Sequence, residues 1–322
     1  MNAVVLDRHH HSHTVSLGMQ LEALMVACDL RGMATVRNRG YSGYLLRAVK
    51  TLLRHRTRVA IVSGFPVNNG FETDGPAGAI ALAQGLRQLG SSVALLGVDE
   101  YISAMARSEP HLPATCFVPI SKARSAVQLR EFVTEFRPTL LIFIEVPGQC
   151  TDGLYRNMRF ENISDRTLPW EPLLDMVDCP SVAFADGGNE LGMGRIRHQL
   201  KGLPIACART ETDELVIADV SNWGVYGALA LASVCVGQPL LQGFSVGKCL
   251  EALVQQGMVD GVTGARTPTE DGLAQNRSRS LLNGLVGMVD PLLQLPTTQT
   301  VHAYPSCVEG EPAVSLSSLV PA

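Results

Sequence analysis

The sequence predicts an α/β protein: a mostly parallel sheet with helices on both faces, Rossmann-like and three-layered, in a single large domain. Three observations predict it. Apolar runs rich in Val, Ile and Leu recur without alternation, the pattern of strands buried on both faces. Segments of helical spacing fall between them, as a parallel sheet with crossover connections requires. Four of the runs end on a carboxylate, at Asp99-Glu100, Glu145, Asp186 and Asp219. Ligands of open parallel sheets bind beyond the carboxyl ends of the strands, so acids repeated there suggest one negatively charged pocket.

The elements follow in order. Residues 1–17, with His9-His10-His11-Ser12-His13, read as a polar tail. Residues 21–28 and 44–53 carry helical spacing and flank the first strand, 59–63. The loop 64–75 leads to a helix over 76–89, with Asp74 placed to cap it, Pro76 in its first turn and Gly90 at its end. A strand at 93–98, a helix at 125–136 and a strand at 140–144 come next, then a long polar loop, 146–170. A short helix at 172–177, a strand at 182–185 and a helix at 191–200 follow. The strand 215–218 precedes an apolar helix, 223–236. One more helix falls within 273–289. Beyond Pro291 the Thr, Pro, Gly and Ser content has no periodicity and predicts a loosely ordered tail, 291–322. The domain is therefore 18–290.

Composition narrows the function. The chain is 46% hydrophobic and 17% charged, enough to bury a large core. Aromatics at 5% and a net charge of −4 argue against a nucleic-acid partner. Eight cysteines include no Cys-x-x-Cys pair, which excludes a zinc ribbon and suggests a reduced compartment. The N-terminus lacks a secretory pattern, and the least polar stretch, 223–244, carries Gln238, Pro239 and Gln242, so no membrane span is expected. A cytoplasmic protein acting on a small molecule is expected, with a mitochondrial setting as the alternative; a homo-oligomer is compatible with these features.

Three segments carry candidate chemistry. In Asp186-Gly187-Gly188-Asn189-Glu190, two glycines after a strand permit a tight turn, and the N–H groups that follow suit a carboxylate. A plain strand–helix crossover capped by Asn189 is the simpler alternative. Glu72-Thr73-Asp74 places two acids before a helix, the hard oxygen ligands that Mg²⁺ and Mn²⁺ prefer; helix capping by Asp74 with Glu72 in solvent is the rival account. Glu145 ends an apolar strand, where its charge needs a metal or a ligand ammonium. The same loop brings Asp152, Asn157 and Arg159, the last able to clamp a substrate carboxylate. Asn222, in Ser221-Asn222-Trp223-Gly224, adds an amide to the pocket or caps the apolar helix. Asp99, Glu100 and Asp219 read as turn residues, and His198 as structural. The familiar nucleotide-binding and nucleophile-elbow spacings do not occur.

Taken together, Gly64-Phe65-Pro66, Glu72-Thr73-Asp74-Gly75-Pro76, Asp152-Gly153 with Tyr155, Asn157-Met158-Arg159, Asp186 to Glu190 with Gly192-Met193-Gly194, and Ser221 to Gly224 resemble the D-glutamate cyclase-like C-terminal domain family. Asp260 to Gly264 and Asp271-Gly272 look like its closing pattern, and the resemblance runs from about residue 20 to 285. It departs at Phe160, where Gly is usual, and at Val146, where a basic residue is common. The resemblance implies an α/β domain with a divalent metal, Mn²⁺ or Mg²⁺, in an acidic pocket, and conversion of D-glutamate to 5-oxo-D-proline and water. On this reading some of Glu72, Asp74, Glu145, Asp152, Asp186 and Glu190 hold the metal. Glu190 and Glu145 are then the catalytic carboxylates, and Arg159, Asn157, Gly187, Gly188, Asn189 and Asn222 face the substrate. A metal-dependent phosphohydrolase, or a domain that binds an amino acid or metal without turnover, are the alternatives.

Overall fold

The computed structural model describes residues 8–294, with side chains from residue 12. Its helices are α1 (Arg8–Met25), α2 (Met33–Asn38), α3 (Tyr44–His55), α4 (Pro76–Gln88), α5 (Asp99–Ser108), α6 (Ser125–Phe136), α7 (Pro172–Met176), α8 (Ser221–Val236), α9 (Val246–Gln255) and α10 (Gln275–Leu293). The strands are β1 (Arg58–Ser63), β2 (Pro66–Val67), β3 (Gly70–Phe71), β4 (Ser92–Val98), β5 (Phe117–Ile120), β6 (Leu140–Ile144), β7 (Ser181–Ala185) and β8 (Glu214–Ile217).

Six strands form one sheet in the order β5-β4-β1-β6-β7-β8, and each pairing is parallel. The apolar runs explain it: β6 and β7 are buried along their whole length and the other long strands nearly so, because both faces are covered. On one face α4 and α3 pack against the mostly apolar, buried α8, which also meets α1 and α10. The right-handed crossover rule places α6 and α7, which pack on each other, on the opposite face.

From β1 the chain winds outward through β4 to β5, then returns and winds the other way through β6, β7 and β8. The reversal leaves a crevice beyond the carboxyl ends of β1 and β6, the place where such sheets bind ligands. The β2–β3 hairpin and the loop after β6 border it.

Some sequence expectations shift. The segment read as a tail, 1–17, already carries the first turns of α1; the histidines at 9–11 lie outside the described side chains, as does 295–322 of the expected C-terminal tail. Residues 191–200 form turns around one short 3₁₀ segment, Gly194–Ile196, rather than a helix, and His198 is exposed. Gly192, at a φ of 104°, and Gly194, close against the Arg209 carbonyl, break the helical path. Asp99 and Glu100 are the first residues of α5, where their charges favour the helix N-terminus. Among the described residues no helix is long and apolar enough to cross a membrane, and the cysteines are free thiols.

Candidate active site

The crevice gathers six buried carboxylates: Glu72 and Asp74 from the loop before α4, Glu145 after β6, Asp186 and Glu190 after β7, and Asp271 before α10. Local structure dictates each position. Glu72 lies beside Val259 in a parallel bridge, and Thr73 donates its N–H to the Val259 carbonyl at 2.9 Å. Gly75 then turns at a φ of 97°; a Cβ there would stand 2.8 Å from Ser63 Oγ and 3.0 Å from Glu145 Cβ. Only glycine lets these two acidic loops approach so closely. Beyond the sheet, Pro147 and Glu190 continue as an antiparallel bridge, with Leu191 N–H bound to the Val146 carbonyl at 2.8 Å, so Glu145 and Glu190 are tied together.

The amino end of α8 points into this cluster. Ser221 donates its N–H to Asp74 Oδ2 at 2.8 Å and to Asp186 Oδ2 at 3.2 Å, and Asn222 donates its own to Asp74 Oδ1 at 2.8 Å. The Ser221 hydroxyl donates to Glu145 Oε2 at 2.5 Å. A helix N-terminus is a favourable setting for anionic groups. Asp74 is indeed a cap, but of α8 rather than of α4.

Arg31, from the turn between α1 and α2, reaches the cluster as a cation: its Nη2 lies 2.6 Å from Asp186 Oδ2 and 2.5 Å from Asp271 Oδ2. Asp219 builds that turn. It is fully buried and accepts the N–H of Cys28 at 2.6 Å and of Leu30 at 2.7 Å, while its carbonyl accepts from Arg31 at 3.1 Å. The acid that reads as an ordinary turn residue is therefore the anchor of the Arg31 loop.

One guanidinium does not neutralise six acids. Burial, and after it the repulsion of neighbouring carboxylates, pushes Glu72, Asp74 and Glu145 well above the usual carboxylate range. Burial raises Asp186 and Glu190 too, with the Arg31 charge opposing it. Glu72 Oε1 is buried with no hydrogen-bond partner, a cost that a cation would remove. Gly261 is cut to fit the same group: a Cβ there would overlap Glu72 Oε2 at 1.8 Å. Two sets of oxygens lie within 4.8 Å of one another, from Asp74, Asp186 and Asp271, and from Glu145, Asp186 and Glu190. An all-carboxylate donor set suits a hard divalent ion such as Mg²⁺ or Mn²⁺.

The other sequence candidates divide. Asp152 is not in the cluster; its carboxylate is exposed and pairs with Arg156 at 2.7 Å, four residues along. That hydrogen bond holds it below the usual range. The N–H groups of Gly187 and Gly188 are taken by Glu190, at 3.0 and 2.7 Å, and do not face the crevice as free donors. Asn222 is wholly buried: its Oδ1 accepts from Gly75 and Gly78, and its Nδ2 donates to Thr73 O and Glu270 Oε1. It is a strut between α4, α8 and the 270 loop. Asn157, Arg159 and Asn189 do border the cleft, which holds about 560 Å³ including its open mouth. Asn157 closes its own loop by accepting from Arg159 N and Glu161 N, and Asn189 donates to the Arg156 carbonyl. Arg159 is exposed and donates to the Val262 carbonyl at 2.7 Å; Arg166, on the same wall, donates to Asn68 O at 2.5 Å.

Sequence reading missed Arg31, Asp271, Arg166 and Glu270. Asp271-Gly272 carried a signal as part of the closing pattern, but Arg31 lies 155 residues from Asp186 with no motif about it. Glu270 sits beneath the floor, fully buried, accepting from Asn222 and from the Ser278 hydroxyl; burial raises it to about 7.

Comparison with known proteins identifies the family. Residues 21–286 match the family model described as D-glutamate cyclase-like, C-terminal. The mitochondrial D-glutamate cyclase of Homo sapiens is 30% identical over 275 residues, covering 73% of this chain and 43% of the human protein. The chain thus spans less than half the length of that relative. With the match running across the sheet and all six buried acids, the chain belongs to the D-glutamate cyclase-like C-terminal family.

Proposed function

We propose that the cleft binds a divalent cation, Mn²⁺ or Mg²⁺, and cyclises D-glutamate to 5-oxo-D-proline with release of water. The observation that carries the proposal is the unpartnered Glu72 Oε1 among five further buried carboxylates, a donor set with room for positive charge. The human relative's name supplies the reaction. The reading carries a location in the cytoplasm or, as for that relative, in mitochondria.

The chemistry sets what the chain must do. The substrate amine attacks its own γ-carboxylate; an N–C bond forms, a C–O bond breaks, and the two protons the ammonium loses leave with the departing oxygen as water. Glu72, Asp186 and Glu190 would hold the divalent ion, whose charge would offset that of the γ-carboxylate and make its carbonyl a better electrophile. Arg159 and Arg166, at the mouth, hold the α-carboxylate and bring the amine within reach of the chain's far end. Glu145 carries the proton from nitrogen to oxygen. Glu190, the other candidate, has both oxygens bound by backbone N–H groups, which lowers its basicity. Glu145 is fixed through Ser221 and lies on the cleft wall.

Purified protein is to be assayed for 5-oxoproline with D- and L-glutamate, with and without Mn²⁺ or Mg²⁺. Metal-dependent product from the D-isomer supports the reading; none from either isomer rejects it. The two triads sharing Asp186 favour a second reading, a two-metal phosphohydrolase. Phosphate release from generic esters, without 5-oxoproline, would select it.

A further inference from the structure

We infer that the Arg31 guanidinium occupies the second cation position of this centre, so that the protein takes up one divalent ion and not two. The inference rests on the metal reading above and concerns only how many ions that centre holds. The two carboxylate triads share Asp186, the arrangement of a bridged pair of cations. They are not equivalent. Arg31 Nη2 touches two of the three acids in one triad, Asp186 at 2.6 Å and Asp271 at 2.5 Å. No cation reaches the Glu145–Asp186–Glu190 triad through its other two members among the described ion pairs.

The guanidinium is held where it is. Its Nε donates to the Asp186 carbonyl at 3.3 Å and its Nη2 to the Asp219 carbonyl at 3.1 Å. Its own backbone is left-handed, at a φ of 53°, and Gly32 follows at 80°, packed against Leu203. Asp219 clamps the turn from below through Cys28 and Leu30. A side chain with this many fixed contacts is not a mobile rim arginine. A guanidinium keeps its charge at any physiological pH, so the position carries a permanent single positive charge where a second ion would bring two. The remaining divalent ion then falls to the other side of the centre, to Asp186, Glu190 and the unpartnered oxygen of Glu72, with Glu145 beside it in the same cleft. Each carboxylate oxygen has two lone pairs, so the N–H bonds to Glu190 leave it able to bind metal.

The test counts Mn²⁺ bound by the full chain, using equilibrium dialysis with elemental analysis, and reads the electron paramagnetic resonance spectrum at saturation. Wild type is expected to bind one ion with an uncoupled spectrum. Arg31→Met is expected to bind two with a spin-coupled spectrum, and Arg31→Lys, which keeps the charge, one. Arg31→Gln, which keeps a donor for the Asp219 carbonyl, serves if the Met variant does not fold and is expected to bind two. Two ions in wild type, or one in both neutral variants, overturn the inference while leaving the metal reading standing. No ion in wild type overturns the metal reading and this inference with it.

Discussion

The floor of the cleft and its rim use the same residue types to opposite ends. On the floor, Asp186 follows β7 directly while Asp74 and Glu190 sit in the loops after β3 and β7, and all three take hydrogen bonds from backbone N–H groups of α8 or the Gly187-Gly188 turn. On the rim, Asp152 and Arg156 pair with each other in solvent, and Arg159 leans on one carbonyl. Backbone donors fixed in a helix end and a tight turn hold a charge in place at little entropic cost, whereas exposed side-chain pairs contribute little stability. Under the proposed function the difference separates tasks: the floor serves the reaction and the rim the choice of what reaches it.

The largest test of that division is Asp186→Asn. Asp186 belongs to both triads, so its loss is expected to abolish Mn²⁺ uptake and to lower turnover by about a thousandfold or more. Elemental analysis and the 5-oxoproline assay check it.

Next comes pH. Glu270 keeps its proton to about 7 in the folded protein, against an ordinary value of 4.5. Below 4.5 both states hold the proton. Between 4.5 and 7 the unfolded chain gives it up while the folded one does not, so metal-free stability falls as pH rises through that window, by up to about 3 kcal/mol from this group. The raised acids of the floor add to the fall in the same direction. Denaturant titrations of the metal-free protein at pH 5 and 7.5 measure it, and Glu270→Gln is expected to flatten the slope.

Gly261→Ala sharpens the comparison from the floor's side. The new Cβ must displace the Glu72 carboxylate, and Mn²⁺ affinity is expected to fall about 10- to 100-fold by calorimetry. On the rim, Arg159→Ala is expected to raise KM for D-glutamate about tenfold with the ion count unchanged. Asp152→Ala, the smallest, should leave both the ion count and the Tm unmoved; a loss of bound metal would return Asp152 to the centre.

How much of this the sequence revealed follows from the range of the signals. Five of the six sheet strands announced themselves as apolar runs, because a strand buried on both faces must be apolar throughout. The sixth, β5, has four residues with Pro119 inside, and proline in a strand reads as an interruption although an edge strand tolerates it. The acids at 72, 74, 145, 186 and 190 were legible because each adjoins a local turn signal. Asp152 shares that appearance, and burial alone sets it apart. Arg31 was not legible: what gives it meaning is Asp219, Asp186 and Asp271, all more than 150 residues away. Asn222 was legible as an amide at the pocket, but its four hydrogen bonds, which make it a strut, appear only in three dimensions.

Three charged residues of the cleft, Arg31, Glu145 and Asp271, have left-handed backbone at φ of 53°, 48° and 53°. Each such residue costs roughly 1 to 3 kcal/mol that a glycine would not. The fold would therefore be easier to stabilise without its cleft than with it. Thermal stability and chemistry pull these three positions in opposite directions, and an effort to harden this protein by consensus or computation would be drawn first to the residues it can least spare.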